Sequence, residues 1–246
     1  MEFIKDYSYL FEMEKGGVAL YTELSPSERI LKLMNEFVCP ELDKAGFKFS
    51  KSQKTFKKTQ DKYQYIIKYY SNMRNYGSES VEFEFYVIVS YPKYSKWYNE
   101  YYKSSEHSGG IYIDSGNIAY IDGWDKKYLD AGHWYRLKSF DNKLLMGNIV
   151  NNIKTAGFKY FSSFETTEGA ISLLIKFPEK NFNIIFDLYL IDGKIKEAIS
   201  FFKKYNRYDE KMLKKEGDDS TSDYSLNRKT EYLMRKKKVE ELSEQN

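Results

Sequence analysis

Residues 33–49 read LMNEFVCPELDKAGFKF, and residues 144–160 read LLMGNIVNNIKTAGFKY. Each copy runs apolar side chains at helical spacing into Ala-Gly-Phe-Lys and a further aromatic residue. Glycine after an apolar periodic stretch is a helix stop, because it takes the left-handed backbone that closes a last turn. The phrase therefore predicts two helices ending at Gly46 and Gly157, each handing over to an element that opens on aromatic residues. Neither copy carries a catalytic group. Strand-like sequence follows the first copy and not the second, so the phrase reads as two joints rather than a duplication.

The first joint closes a helix whose start is also written in the sequence. Ser25-Pro26-Ser27-Glu28 supplies a cap, a proline for the first helical position and a capping box. Ile30, Leu31, Met34, Phe37 and Val38 then share one face. Pro40 lacks an N–H and is expected to kink or reset the helix. A β region follows. Phe47 and Phe49 open it, and 55–58 and 63–70 flank the polar turn Thr59-Gln60-Asp61-Lys62 as a hairpin. In 81–89, Val81, Phe83 and Phe85 face one way and Glu82 and Glu84 the other, before Val87-Ile88-Val89 turns wholly apolar. Trp97, Tyr98, Tyr101 and Tyr102 fall at helical spacing and predict a short helix over 94–103. Segments 111–114 and 118–122 flank Ser115-Gly116-Asn117, which predicts a second hairpin.

From Asp141 onward the periodicity is helical. Leu144, Leu145, Ile149 and Ile153 give one helix, and 168–177 fits helix or strand. Phe182, Ile185, Phe186 and Tyr189, then Ile195, Ala198, Ile199 and Phe202, flank Asp192-Gly193 as a helical hairpin. Residues 217–223 are the linker-like stretch. The tail holds Arg235-Lys236-Lys237-Lys238 and is expected to be a frayed, solvated helix. The whole reads as an α+β chain, a helix packed on a mostly antiparallel sheet followed by a helical C-terminal region. The expected division is a lead-in over 1–24, an α+β body over 25–140, helices over 141–216, and a linker with charged tail over 217–246.

Composition excludes some functions. With 39 basic and 36 acidic residues the net charge is +3, too balanced to announce a nucleic-acid or membrane partner. The single cysteine, Cys39, excludes an internal disulfide and a cysteine-based zinc site. No run is apolar enough to span a bilayer, and the first nine residues lack the apolar core of a signal peptide, so the cytoplasm is the expected location. Only His107 and His133 are available for histidine chemistry. His107 sits in a loop-like stretch, and His133 lies near Asp122, Asp125 and Asp130 without a recognised ligand spacing. No phosphate loop, dinucleotide fingerprint or nucleophile motif is present. The expectation is no enzyme, no metal and no cofactor.

Two binding readings compete. The 24 tyrosines against 4 prolines suit a protein-recognition surface, with Trp97, Tyr98, Tyr101, Tyr102, Trp124, Trp134 and Arg136 as anchors, or else a core that has absorbed them. Alternatively, Lys54, Lys57, Lys58, Lys62, Lys68 and Arg74, interleaved with Tyr63 and Tyr65, suit a basic sheet that stacks bases and neutralises phosphates. The second reading requires those tyrosines to be exposed; otherwise the stretch is a solvated face with its aromatics pointing inward.

Over about residues 28 to 140 the punctuation resembles a family of bacterial domains known only as a domain of unknown function. The resemblance rests on Pro40-x-Leu42-x-x-x-Gly46-Phe47, on Phe56 before Lys57-Lys58, on Tyr65-Ile66-Ile67, on Phe83-x-Phe85-x-Val87 and on Trp134. Tyr69 and Ser71 stand where that family often has Gln and Ser. Its members often neighbour toxin genes. The resemblance thus implies an immunity-type protein that binds a protein partner, a toxin among the candidates, with nucleic-acid binding as the alternative and an uncharacterised enzyme third.

Overall fold

A computed structural model describes residues 17–77, 81–104, 111–138, 140–216 and 223–244, with the backbone alone over 207–216 and 223–228. His107 and the linker stretch 217–222 lie outside the described residues. The fold is α+β, with a mostly antiparallel sheet and a helical C-terminal region. It divides into two compact units, one from the described residues of 1–92 and 110–161, the other from those of 93–109 and 162–246. The helical stretch expected as one region over 141–216 is thereby shared between them.

The first unit begins where the sequence places it. Helix α1 (Pro26–Leu33) carries its capping box, the Glu28 carboxylate accepting the Ser25 N–H at 3.3 Å. A five-residue π turn (Met34–Val38) precedes α2 (Cys39–Lys44), so the reset expected at Pro40 is made one turn earlier and leaves the proline in the first turn of α2, where no N–H is needed. Gly46 ends α2 at φ +85°, as the phrase requires.

Strand β1 (Lys48–Ser50), β2 (Thr55–Gln60), β3 (Tyr63–Ser71) and β4 (Glu82–Tyr91) follow as an antiparallel meander. The first hairpin turn is tighter than expected. Gln60 pairs with Tyr63, so Asp61 and Lys62 alone make the bend. The expected second hairpin is absent. Ser115, Gly116 and Asn117 instead pair with Ile88, Val87 and Tyr86 as the end of β5 (Ile111–Asn117), and a single 3₁₀ turn (Ile118–Tyr120) follows. The β4 ladder satisfied these backbone groups and outweighed the local turn propensity. Short β6 (Tyr135–Arg136) pairs with β4 beside β5.

One sheet face is the core. Phe56, Tyr65, Ile67, Tyr69, Phe85 and Val87 are buried on it, and Tyr65 stacks on Phe161 at 4.9 Å. Two further helices, α4 (Asn142–Asn152) and α5 (Phe158–Ser162), contribute Leu145, Ile149 and Phe161 to the same core. At Gly157 the helix stop predicted by the phrase does not occur: a π turn (Ile153–Gly157) carries the helix on into α5. Gly157 does not take the left-handed backbone that a stop requires. A Cβ there would make an ordinary contact with the Trp124 ring at 3.7 Å, and the next residue, Phe158, stacks on Phe47 at 5.8 Å and 4°. The two copies of the phrase thus meet through their phenylalanines.

The second unit is helical. It holds α3 (Tyr94–Tyr102), α6 (Thr167–Leu174), α7 (Pro178–Ile191), α8 (Ile195–Glu216) and α9 (Asp223–Glu244). The segment left open between helix and strand is α6, capped by the Thr166 hydroxyl on the Gly169 N–H. The α7–α8 hairpin turns at Gly193, φ +71°. The tail is not a solvated helix: Tyr232, Arg235 and Val239 of α9 are buried. Arg235 is 1% exposed and its guanidinium meets Asp187 of α7 at 2.6 and 3.2 Å. The basic run misled because its first member is an arginine, whose planar fork fits a buried carboxylate, while Lys236 and Lys237 stay exposed.

Candidate functional site

Most of the sequence-derived anchors are structural. Trp124 is buried and its indole N–H donates to the Tyr135 hydroxyl at 3.0 Å. Tyr98 is fully buried, and the Tyr102 hydroxyl donates to Asp187 at 2.6 Å. Trp97 and Tyr101 stack on each other at 5.1 Å and are half-buried. Trp134 is half-buried, and half-buried Arg136 is held between Glu82 at 3.0 Å and Asp130 at 2.7 Å. These contacts commit Trp97, Tyr98, Tyr101, Tyr102, Trp124 and Arg136 to the fold, because each ring or charge already has its partner.

The basic, aromatic stretch does not make one surface either. Tyr63 and Tyr65 are 2% and 3% exposed, so neither offers a face to a base. Alternation is the reason. Both sit on the core side of β3, whereas Lys57 and Lys68 sit on the other side. Lys58 lies on the core side, over the Phe47 ring at its margin, and Lys62 covers Tyr63 at the turn. Lys54 is in the bend before β2, and Arg74 is exposed beyond the end of β3.

What the fold does bring together lies on the outer face of the sheet, around Glu84. Tyr70 of β3 is its cross-strand neighbour, and Tyr86 follows it on the same face of β4. The Tyr70 and Tyr86 rings meet edge to face at 5.2 Å. Asn117, at the end of β5, donates to the Glu84 carboxylate at 2.7 Å and with its oxygen caps the 3₁₀ turn at Ala119. That turn presents Tyr120, 74% exposed, whose ring meets His133 edge to face at 5.1 Å. His133 has φ +66°, a conformation uncommon outside glycine. The Asp130 carboxylate builds the bend, accepting the N–H groups of Gly132 at 2.8 Å and Trp134 at 2.9 Å. The aspartates weighed beside His133 thus do other work, Asp125 bonding Asn148 at 2.7 Å. Among the described residues no group of His, Cys, Asp and Glu side chains is placed to hold a metal ion.

Burial pushes the Glu84 carboxyl up, and the Asn117 bond and the neighbouring His133 pull it only partly back. Burial also pushes the Tyr86 hydroxyl up, with the Glu84 charge adding to it. Glu84 makes no ion pair among the described residues. Lys68, on the same face, rests over the Tyr70 ring at 4.5 Å instead. The site is an exposed aromatic rim around a half-buried carboxylate with one hydrogen bond. No family model matches the chain, and no curated protein or solved structure matches it.

The sequence signals only part of this cluster. Alternation in β4 correctly turns Glu82 and Glu84 away from the core. Tyr120, Asn117 and His133 carry no local mark, since they reach Glu84 only through the β4–β5 pairing and the Asp130 bend.

The raised carboxyl has a consequence for stability. A carboxyl held above its unfolded value favours the protonated form in the fold. Stability is therefore fully present below the unfolded value and falls as pH rises through the folded one. Glu84→Gln removes that loss. At neutral pH the variant is expected to gain no more than about 0.5 kcal/mol, because solvent screens a half-exposed group. Urea titrations of both proteins across pH 3 to 8 check this, the difference closing at the acid end.

Proposed function

We propose that this chain is a protein-binding module of the immunity type, acting in the cytoplasm by covering a toxin rather than by chemistry. The observation that supports this most directly is the exposed tyrosine rim around Glu84. Tyr70 and Tyr86 on the sheet and Tyr120 on the 3₁₀ turn beside it gather there, and tyrosines of this kind, large and with few rotamers to freeze, are favoured binding anchors. The resemblance to toxin-associated domains supports the finer reading. Among the described residues no helix is long and apolar enough to cross a membrane, which fits a partner met in solution. The chain as a whole is slightly basic, yet this face offers a negative group.

The test is co-expression with each toxic gene product encoded beside it in the native host. Growth rescue by the wild type, lost in Tyr86→Ala/Tyr120→Ala, is the expected outcome. Tyr120→Ala alone is expected to weaken binding by about 2 kcal/mol, as a central anchor does. If no neighbour is neutralised or captured, the reading is wrong.

A further inference from the structure

The rim and the carboxylate together define what kind of group fits between them, an inference that rests on the protein-binding reading above. We propose that the Glu84 cluster is a receptor for an arginine side chain projected by the protein partner.

The argument starts from charge. Glu84 is half-buried, accepts one hydrogen bond from Asn117 and has no ion pair among the described residues. Its neighbouring acid, Glu82, is different: Arg136 holds it at 3.0 Å and Asn72 donates to it at 2.7 Å. The same sheet face therefore carries one carboxylate already matched to a guanidinium and one that is not. A carboxylate with free lone pairs in a partly desolvated place gains most from a cation that brings its own hydrogen bonds. Lys68, a cation on the same sheet face, is engaged over the Tyr70 ring at 4.5 Å.

Shape selects the cation. The Tyr70–Tyr86 pair and the Tyr120–His133 pair both meet edge to face, at 5.2 and 5.1 Å. Tyr120 is mostly exposed and Tyr70 is 39% exposed. Ring faces of this kind attract a cation through their quadrupole. A guanidinium suits the space better than an ammonium. It is planar, stacks on an aromatic face, is weakly hydrated and offers a fork to a carboxylate. In this arrangement the guanidinium lies against Tyr120 and Tyr86 and donates to the lone pairs of Glu84 that Asn117 leaves open.

The test uses a small probe, N-acetyl-arginine-N-methylamide, titrated into protein labelled at its tyrosine rings and followed by NMR. Saturable shifts of the Tyr86 and Tyr120 ring signals, with millimolar affinity, are expected. The citrulline analogue keeps the shape and loses the charge, and should bind roughly tenfold more weakly. Glu84→Gln, which the stability argument expects to fold, should abolish the shifts, and Tyr120→Leu should weaken them. Equal binding of citrulline, shifts unchanged in Glu84→Gln, or no shift at all would each overturn the receptor. The two readings fail separately. A toxin captured equally by wild type and Glu84→Gln ends the arginine inference and leaves the binding module standing. A wild type that binds the probe but captures no toxin does the reverse.

Discussion

Asp187→Ala is expected to destabilise the helical unit by about 3 to 5 kcal/mol, the range for removing one partner of a buried ion pair. Asp187 is fully buried in α7 and serves three donors at once. The Arg235 guanidinium meets it at 2.6 and 3.2 Å, the Tyr94 hydroxyl at 2.5 Å and the Tyr102 hydroxyl at 2.6 Å. Burial alone pulls the Arg235 charge down, but the charge of Asp187 outweighs it and holds the guanidinium firmly protonated. Burial raises both tyrosine hydroxyls, with Asp187 adding to it, so they remain donors. Alanine at 187 strands a cation that is 1% exposed and leaves two hydroxyls without their acceptor. Arg235 retains the Glu231 carbonyl and carboxylate at 3.0 and 3.5 Å, the Tyr94 hydroxyl at 3.3 Å, and the Tyr98 and Tyr102 rings about it, but no buried anion. The double variant Asp187→Leu/Arg235→Met separates charge from packing. Replacing a buried pair by apolar groups of similar volume is often neutral, so the double variant should lie much closer to wild type than the single one. Guanidinium titrations of the three proteins, with Tyr94→Phe as a milder fourth, check the order. A single variant within about 1 kcal/mol of wild type would show the pair to be dispensable.

How far the sequence carried the reader depends on the range of the interaction that decided each element. Capping at Ser25, the β2–β3 turn, the Asp192-Gly193 bend and the aromatic helix over 94–102 are settled within a turn or two of chain, and the sequence shows them. The hairpin expected at Ser115-Gly116-Asn117 failed because β4 supplied a ladder from elsewhere in the chain. The stop expected at Gly157 failed because a π turn runs on into α5 and this glycine does not take the left-handed backbone that Gly46 takes. Nothing local told Arg235 apart from the lysines beside it. The candidate site follows the same rule. The side of the sheet on which Glu84 lies was legible from alternation, and the loops that complete its surroundings were not.

The second large effect is expected at Asn142, at the start of α4. The sequence treats 1–24 as a loosely packed lead-in, yet its described part is tied down by this one fully buried amide. The Asn142 oxygen accepts from the Leu20 N–H at 2.9 Å and from Arg29 at 3.0 Å. Its nitrogen donates to the carbonyls of Leu137 at 2.8 Å and Phe140 at 2.9 Å. All four hydrogen-bonding places of the amide are thus filled, which is the condition under which a buried polar group stabilises rather than costs. Asn142→Ala leaves several buried partners unmet and is expected to cost about 3 kcal/mol. The adjacent Asp141 gives the contrast. It caps α4 through Lys143 and Leu144 and accepts the Val18 N–H at 2.7 Å, all at the exposed surface. Asp141→Ala should cost much less, the loss of a solvent-exposed cap. Hydrogen exchange resolves the two by residue. The Leu20 amide should lose protection in Asn142→Ala, and in Asp141→Ala the Val18 amide should lose it while Leu20 keeps it. Equal protection of Leu20 in wild type and Asn142→Ala would mean that the amide does not hold the lead-in, whatever the global stability shows.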